Sequence, residues 1–130
     1  MNSDDEQPSA ASRDPLTATV IGCAYDVANG LGHGFLEKVY ENALTLRLKK
    51  AGLEAVQQHS MAVHFDGVVV GEFAADIVVY GELIIELKCA RELSEAHVAQ
   101  CLNYLKATGI KTCLLVNFGK PRIEIRRLSL

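Results

Sequence analysis

The sequence predicts an α/β sandwich with a mixed central sheet, whose elements follow the order α-α-β-β-β-α-β-β. Three observations predict this fold class. Apolar residues recur at helical spacing in the first third of the chain, the period changes to two after Gly52, and a further helical stretch precedes the last two strands. Such an order favours helices packed against a sheet over an all-α or all-β domain.

The composition agrees with one folded domain. The chain has 130 residues, of which 49% are hydrophobic and 22% charged, which excludes a wholly disordered or fibrous protein. The net charge of -3 lies entirely in residues 1–15, which we expect to be a disordered acidic tail. Residues 16–130, the predicted domain, carry twelve basic and twelve acidic side chains. The overall acidity therefore does not exclude nucleic acid as a partner.

Two features bear on the cellular compartment. The chain has no run of eighteen apolar residues, and its first residues lack the basic and then apolar order of a signal peptide. The cysteines form no CxxC pair and have no histidine at zinc-ligand spacing; they are Cys23, Cys89, Cys101 and Cys113. We therefore expect a cytoplasmic protein without a membrane partner, with reduced core cysteines and without zinc.

Two helices open the predicted domain. Apolar residues occur at three- and four-residue steps from Leu16 to about Asn29, and the glycine-rich run 30–34 then interrupts the pattern. Helical spacing resumes from Phe35 to Ala51. Gly52 stands where a C-cap glycine belongs, so the second helix is expected to end there.

Three strands, one helix and two further strands follow. Residues 55–65, 68–80 and 83–89 are strand-like and are separated by turns at 66–67 and at 81–82, which predicts an antiparallel meander. Ser94 is a candidate N-cap for a helix from about Glu95 to Thr108, and Gly109 ends it. Residues 111–118 and 122–128 complete the sheet, and the first of these strands is apolar enough to be buried on both faces.

Charged residues within two apolar strands are the first candidates for function. Glu86 and Lys88 lie two residues apart and therefore share one face of their strand. Asp76 is the one charged residue in residues 73–80. A three-residue loop between the strands places Asp76 opposite Glu86, whereas a two-residue loop places it opposite Leu87.

Carboxylates that face each other across a sheet repel unless a proton or a cation lies between them. Mg²⁺ is typically held by one or two carboxylates. Asp76 and Glu86 supply these ligands, the Leu87 carbonyl could add a third, and Lys88 could orient or deprotonate an attacking water. The pattern predicts phosphodiester hydrolysis. The alternative is a solvated Glu–Lys pair with an aspartate on a wet sheet edge, which the spacing alone does not exclude.

Residues of two helices could reach the same place. Glu37 falls within the apolar stripe of the second helix, so we expect its carboxylate on the core side. His97, Gln100 and Tyr104 follow at steps of three and four residues and share one polar edge of the later helix. A solvated helix edge explains these three residues equally well.

Several motifs in order carry a resemblance to a known family. Residues 34–40, Gly-Phe-Leu-Glu-Lys-Val-Tyr, match the GxxExxY signature, and Asp76, the run Glu86-Leu87-Lys88 and the pair Gln100 and Tyr104 follow. From Leu16 to Leu128 the chain resembles the GxxExxY proteins, a branch of the PD-(D/E)xK nuclease superfamily. Ala74 departs from the pattern, because such proteins often carry arginine there.

The resemblance implies a restriction-endonuclease-like three-layer core and a set of site residues. It implies a metal at Asp76 and Glu86, Lys88 as the catalytic lysine, and Glu37 and Gln100 as further residues of the site. We assign substrate binding to Tyr40, His97 and Tyr104.

The leading hypothesis is a Mg²⁺- or Mn²⁺-dependent nuclease, a hydrolase that acts on nucleic acid. We expect DNA as its substrate. Between Lys106 and Arg127 six basic residues stand against one acidic residue, which could form a DNA-binding surface. The core uses nearly the whole domain and leaves no insertion for reading bases, so we expect no sequence specificity without a homodimer or another partner. The alternative is a non-catalytic module of the same fold that binds nucleic acid or protein.

Overall fold

The structure, a computed structural model, describes residues 14–130, which form three helices and five strands. The elements are α1 Pro15–Leu31, α2 Glu37–Lys50, β1 Ala55–Phe65, β2 Val68–Val79, β3 Leu83–Lys88, α3 Glu95–Thr108, β4 Thr112–Asn117 and β5 Glu124–Ser129. The predicted element order is confirmed, and β1 and α3 have the predicted bounds. Within this part of the chain, no helix has the length and apolarity needed to cross a bilayer.

The first described residues belong to α1 and not to the predicted tail. Asp14 is the N-cap of the helix, and its Oδ1 accepts the Thr17 N–H at 2.7 Å. Pro15 follows as the first helical residue, where its fixed φ suits the helix and its missing N–H costs nothing. Asp14 and Pro15 are therefore part of the capped helix α1, and the rest of the predicted tail, residues 1–13, lies outside the described residues.

The strands form one mixed sheet in the order β1-β2-β3-β4-β5. The predicted meander of β1, β2 and β3 is antiparallel, β3 and β4 are parallel, and β4 and β5 are antiparallel. A parallel pair needs a crossover connection, and α3 supplies it. Side chains of α1 and α2 pack in one apolar cluster and those of α3 in another, so the sheet lies between two helical layers. As predicted for a strand covered on both faces, β4 is buried from Cys113 to Asn117.

The turn between β2 and β3 has the three-residue form that the sequence allowed. Val79 pairs with Leu83, and Tyr80 and Gly81 have φ of 53° and 66° within the turn. Further from the turn, Ile77 pairs with Ile85. The same register places Asp76 opposite Glu86 and excludes the alternative in which Asp76 lies opposite Leu87.

The predicted burial of Cys89 is wrong, and Leu36 is exposed as well. Cys89 is exposed because it follows the last residue of β3, whereas the other three cysteines are buried as predicted. Leu36 is 80% exposed. It is the N-cap residue of α2 and has an extended backbone, so it does not continue the buried stripe of Tyr40, Leu44 and Leu48.

Candidate active site

Asp76 and Glu86 face each other at the point where β2 and β3 cease to form ladder pairs. The backbone N–H of Asp76 donates to Glu86 Oε2 at 2.8 Å. The backbone N–H of Leu87 donates to Asp76 Oδ2, also at 2.8 Å. In a regular ladder each of these N–H groups would donate to a main-chain carbonyl of the neighbouring strand. Here a carboxylate oxygen of that strand accepts the hydrogen bond instead. This exchange holds both side chains in defined orientations.

Glu37 and Lys88 lie close to these carboxylates. Lys88 is the last residue of β3, and Glu37 is the first residue of α2. Burial raises the pKa of Glu37, of Asp76 and of Glu86, the Asp76 charge raises that of Glu37 further, and the Lys88 charge opposes the shift of all three. The structure thus brings together four residues to which the sequence assigned catalysis.

The electrostatics of this carboxylate cluster favour a cation or bound protons. Burial, and after it the Asp76 charge, raises the pKa of Glu86 from 4.5 to about 8. Burial is also the largest cause of the raised pKa of Asp76 and of Glu37. The Lys88 charge opposes these shifts without cancelling them.

The donor set fits a hard divalent cation. Among residues 14–130, no group of three or more His, Cys, Asp or Glu side chains is already arranged to hold a metal ion. However, Mg²⁺ and Mn²⁺ suit carboxylate and water oxygens, and Mg²⁺ needs only one or two carboxylates when water and phosphate oxygens complete its shell. Asp76 and Glu86 could hold such an ion, and the ion would displace the proton that the raised pKa of Glu86 favours. The Leu87 carbonyl remains a predicted third ligand.

Gln100 and Tyr104 approach the site from α3. The Gln100 Nε2 donates to the Tyr104 hydroxyl at 2.9 Å, and the Tyr104 ring stacks on Phe73 of β2 with 3.8 Å between ring centroids. Burial, followed by the charges of Glu86 and Asp76, raises the pKa of Tyr104. The Tyr104 hydroxyl therefore lies within the field of the two carboxylates.

His97 and Tyr40, by contrast, are held in local structure. His97 Nδ1 accepts the Ser94 N–H at 3.1 Å, and the His97 N–H donates to Ser94 Oγ at 3.3 Å, which caps α3. Tyr40 is fully buried, and its hydroxyl donates to the Gly32 carbonyl at 2.7 Å and accepts the Phe35 N–H at 3.3 Å. These contacts hold the loop before α2. The substrate-binding roles of His97 and Tyr40 remain predictions.

The buried carboxylate of α2 is Glu41 and not Glu37. Glu41 is 2% exposed, whereas Glu37 is exposed because α2 begins there and its first turn is not covered. The predicted core-side position of Glu37 is therefore wrong. The helical pattern contained a signal for Glu41, which stands three residues before Leu44 on the buried face. Gln58 of β1, which also contacts the cluster through Asp76, had no such signal.

A three-layer α/β fold in which two carboxylates and a lysine meet at separating strands defines the class of restriction-endonuclease-like proteins. The family model of the PD-(D/E)XK nuclease superfamily matches residues 14–128, and the chain belongs to this superfamily. Nucleases of this superfamily act on nucleic acid and usually use divalent metal ions.

Other comparisons bear on the fold alone. The crystal structure of SSO0001 is similar, with a TM-score of 0.56 and 19% sequence identity over 71% of this chain. This chain spans about half, 48%, of the length of that one. No curated protein shows significant similarity to the chain.

Proposed function

We propose that this protein is a Mg²⁺- or Mn²⁺-dependent nuclease that hydrolyses phosphodiester bonds, and that its substrate is DNA. The observation that carries the proposal is the meeting of Asp76 and Glu86 across β2 and β3, beside Lys88. Membership in a nuclease superfamily supports it. The raised pKa of Glu86 supports it too, because strongly perturbed carboxylates are concentrated at functional sites.

Each residue of the site has a defined task in this proposal. A bound Mg²⁺ or Mn²⁺ supplies a Lewis acid that polarises the scissile phosphate. Asp76 and Glu86 would hold the ion, and backbone N–H groups already orient both carboxylates. The Lys88 ammonium group orients the attacking water and neutralises the charge that develops on the phosphate. Glu37, on the exposed first turn of α2, would accept a hydrogen bond from a water molecule of the site.

The substrate approaches between α2 and α3. Gln100 and Tyr104 form a hydrogen-bonded pair at this position and donate to the phosphate or the sugar of the nucleotide. His97 contacts the substrate through Nε2, the ring nitrogen that its capping bond does not use. Tyr40 acts on the substrate through the loop that it holds.

The cleavage has no sequence preference in this proposal. Within residues 14–130 the eight elements follow one another through short connections, and this part of the chain has no additional element that could enter a groove and read base edges. Two of the basic residues near the C-terminus are partly neutralised, because Lys120 pairs with Glu124 at 3.8 Å and Arg127 pairs with Asp14 at 3.7 Å. Weak, backbone-directed and salt-sensitive binding is the expected result.

Two finer assignments belong to the same proposal. Gly34, Glu37 and Tyr40 support placing the chain in the GxxExxY branch of the superfamily. Its four cysteines are all unpaired, which supports a reducing and hence cytoplasmic location.

The test is a cleavage assay on single- and double-stranded DNA and RNA with Mg²⁺, with Mn²⁺ and with chelator. We expect metal-dependent cleavage that Asp76→Ala and Lys88→Ala each reduce by about a hundredfold or more. Matched controls are Asp26→Ala and Lys50→Ala, which alter exposed residues of the same types and should leave the rate unchanged. Cleavage that resists chelator, or that survives Asp76→Ala, contradicts the proposed site. Binding of nucleic acid without any cleavage favours the non-catalytic module.

We also propose that the protein forms a homodimer through the β1–β2 hairpin. Phe65, Val68 and Val69 are exposed there, and residues 51–87 contain no Lys or Arg that would suit nucleic acid. β1 is an edge strand without Asp, Glu, Lys, Arg or Pro, and an edge strand that lacks charges and proline can pair with its own copy about a twofold axis. The hairpin has roughly the 20–30 residues that one side of a standard interface needs.

Sedimentation equilibrium tests the dimer. We expect a dimer for the wild type and a monomer for Val69→Lys, which places a charge on the hairpin. Leu46→Lys, at an exposed apolar residue of α2, is the matched control and should remain dimeric. A monomeric wild type contradicts this proposal.

A further inference from the structure

Gln58 has an unusual backbone conformation beside the carboxylate cluster. Its φ is 50°, in the left-handed region, although it lies within β1. Gln57 pairs with Ile77 and His59 pairs with Ala75, so Gln58 stands opposite Asp76 without forming a ladder pair of its own. A non-glycine residue in this region is strained, and such strain persists only where surrounding contacts impose it.

The side chain of Gln58 makes the contacts that could impose this strain. Its Nε2 donates to Glu41 Oε1 at 3.1 Å and to Glu41 Oε2 at 3.2 Å. The same Nε2 lies 3.4 Å from Asp76 Oδ1, to which it also donates. A glutamine amide has two N–H groups and can therefore join two carboxylates. Gln58 thus connects a carboxylate of α2 with a carboxylate of β2.

Glu41 provides a fixed anchor for this connection. It is almost completely buried, and Lys38 Nζ lies 3.1 Å from each of its carboxylate oxygens. Gln57 Nε2 donates to Glu41 Oε2 at 2.7 Å. A buried carboxylate with this many donors has little freedom to rotate, because each rotation would leave a buried charge without a partner.

We infer that Gln58, anchored on Glu41, is a positioning residue that fixes the Asp76 carboxylate at the site. Gln58 holds Oδ1 of Asp76 from the β1 side, and the Leu87 N–H holds Oδ2 from the β3 side. With both oxygens held, the carboxylate is oriented before any ligand arrives. The catalytic consequence of this positioning rests on the proposed nuclease function, whereas the positioning itself does not.

A purely structural role for Gln58 would predict a different response to substitution. If the residue served only to bend β1, its loss would lower stability and leave the Asp76 contacts unchanged. If it positions Asp76, its loss frees Oδ1, and the hydrogen bond between the Leu87 N–H and Oδ2 opens more often. Amide hydrogen exchange at Leu87 distinguishes these roles without any need for activity.

Three variants isolate the contact. Gln58→Met keeps the size of the side chain and the backbone strain but removes both N–H donors. Gln58→Gly removes the donors and relieves the strain at positive φ, so it remains folded if the methionine variant does not. Gln57→Ala is the matched control, because Gln57 bonds to Glu41 but makes no contact with Asp76.

The first measurement is the exchange rate of the Leu87 amide, by NMR on the metal-free full-length protein. We expect exchange about five- to tenfold faster in both Gln58 variants, the factor that one net hydrogen bond provides, and unchanged in Gln57→Ala. Unchanged exchange in both Gln58 variants overturns the inference. Equal acceleration in Gln57→Ala also overturns it, since the effect would then arise from loosening around Glu41.

The second measurement is cleavage as a function of metal concentration. Both Gln58 variants should need about tenfold more Mg²⁺ for half-maximal rate, with the KM for nucleic acid unchanged, because supporting groups of a metal ligand typically change metal affinity by this factor. A wild type that cleaves no nucleic acid refutes the proposed function, while the exchange experiment still decides the role of Gln58. An active Gln58→Gly variant with the metal requirement of the wild type overturns the catalytic consequence.

Discussion

Replacing Glu86 by glutamine is expected to stabilise the metal-free protein at neutral pH and to abolish the proposed activity. Glu86 is 4% exposed, and burial, with the Asp76 charge, raises its pKa from 4.5 to about 8. Glutamine retains a side-chain oxygen that accepts the Asp76 N–H but does not ionise. The substitution therefore removes a group whose charged form is disfavoured in the folded state.

The magnitude follows from the linkage of folding to protonation. Between pH 4.5 and about 8 the unfolded chain releases the Glu86 proton while the folded protein keeps it, so the free energy of unfolding falls as pH rises. The stabilisation from the bound proton is fully present below pH 4.5 and has been lost at about pH 8. At about 1.4 kcal/mol for each pKa unit, the free energy of unfolding of the wild type is about 3 kcal/mol lower than that of Glu86→Gln at pH 7.

Guanidinium unfolding followed by circular dichroism measures this effect, at pH 5, 6, 7 and 8 with chelator present. The difference between Glu86→Gln and wild type should be smallest at pH 5 and should grow to about 3 kcal/mol at pH 7. Glu92→Gln, at an exposed glutamate between β3 and α3, is the control and should follow the wild type throughout. Parallel pH profiles for wild type and Glu86→Gln would refute the reasoning, because Glu86 would then ionise as it does in the unfolded chain.

Further predictions concern residues that hold the frame of the site. Gly119→Ala should lower the free energy of unfolding by about 2–4 kcal/mol, because a Cβ there would overlap the Ala90 backbone. Gly71 has open space around it, so Gly71→Ala is the control when both variants are compared in thermal melts. Equal stability of the two variants would contradict the overlap. Tyr40→Phe should cost about 1 kcal/mol in guanidinium unfolding because the Gly32 carbonyl loses its bond to the hydroxyl, and unchanged stability would show that water replaces it. Asp14→Ala should also cost about 1 kcal/mol through loss of the α1 N-cap, and an unchanged melting temperature would contradict the cap.

Much of the site could be predicted from the sequence because its main contact is local. Asp76 and Glu86 lie on adjacent strands of one hairpin, and the alternation of side chains with a three-residue turn determines that they meet. The sequence left two registers open, since turn length alone decided between Glu86 and Leu87. The structure has the three-residue turn, which places Asp76 opposite Glu86.

Glu41 and Gln58 show why the rest of the site could not be predicted. Helical periodicity predicted Glu37 on the core side of α2, but how deeply each turn of a helix is covered depends on where the helix crosses the sheet. The left-handed backbone of Gln58 follows from contacts with α2 and β2, and no local pattern in β1 specifies it. His97 shows the same limit, because the spacing that placed it on a polar helix edge did not reveal that its ring caps α3.

The sequence by itself determined the order of the elements and the positions of their turns, and it limited the residue opposite Asp76 to Glu86 or Leu87. These depend on interactions between residues that are near in the chain or lie on neighbouring strands, and such interactions leave periodic patterns. The tertiary structure alone decided which carboxylate of α2 is buried, that Gln58 joins it to Asp76, and how far burial raises the pKa of Glu86. These properties arise where α2, β1, β2 and β3 meet, and desolvation at such a place depends on the packing of all four elements together.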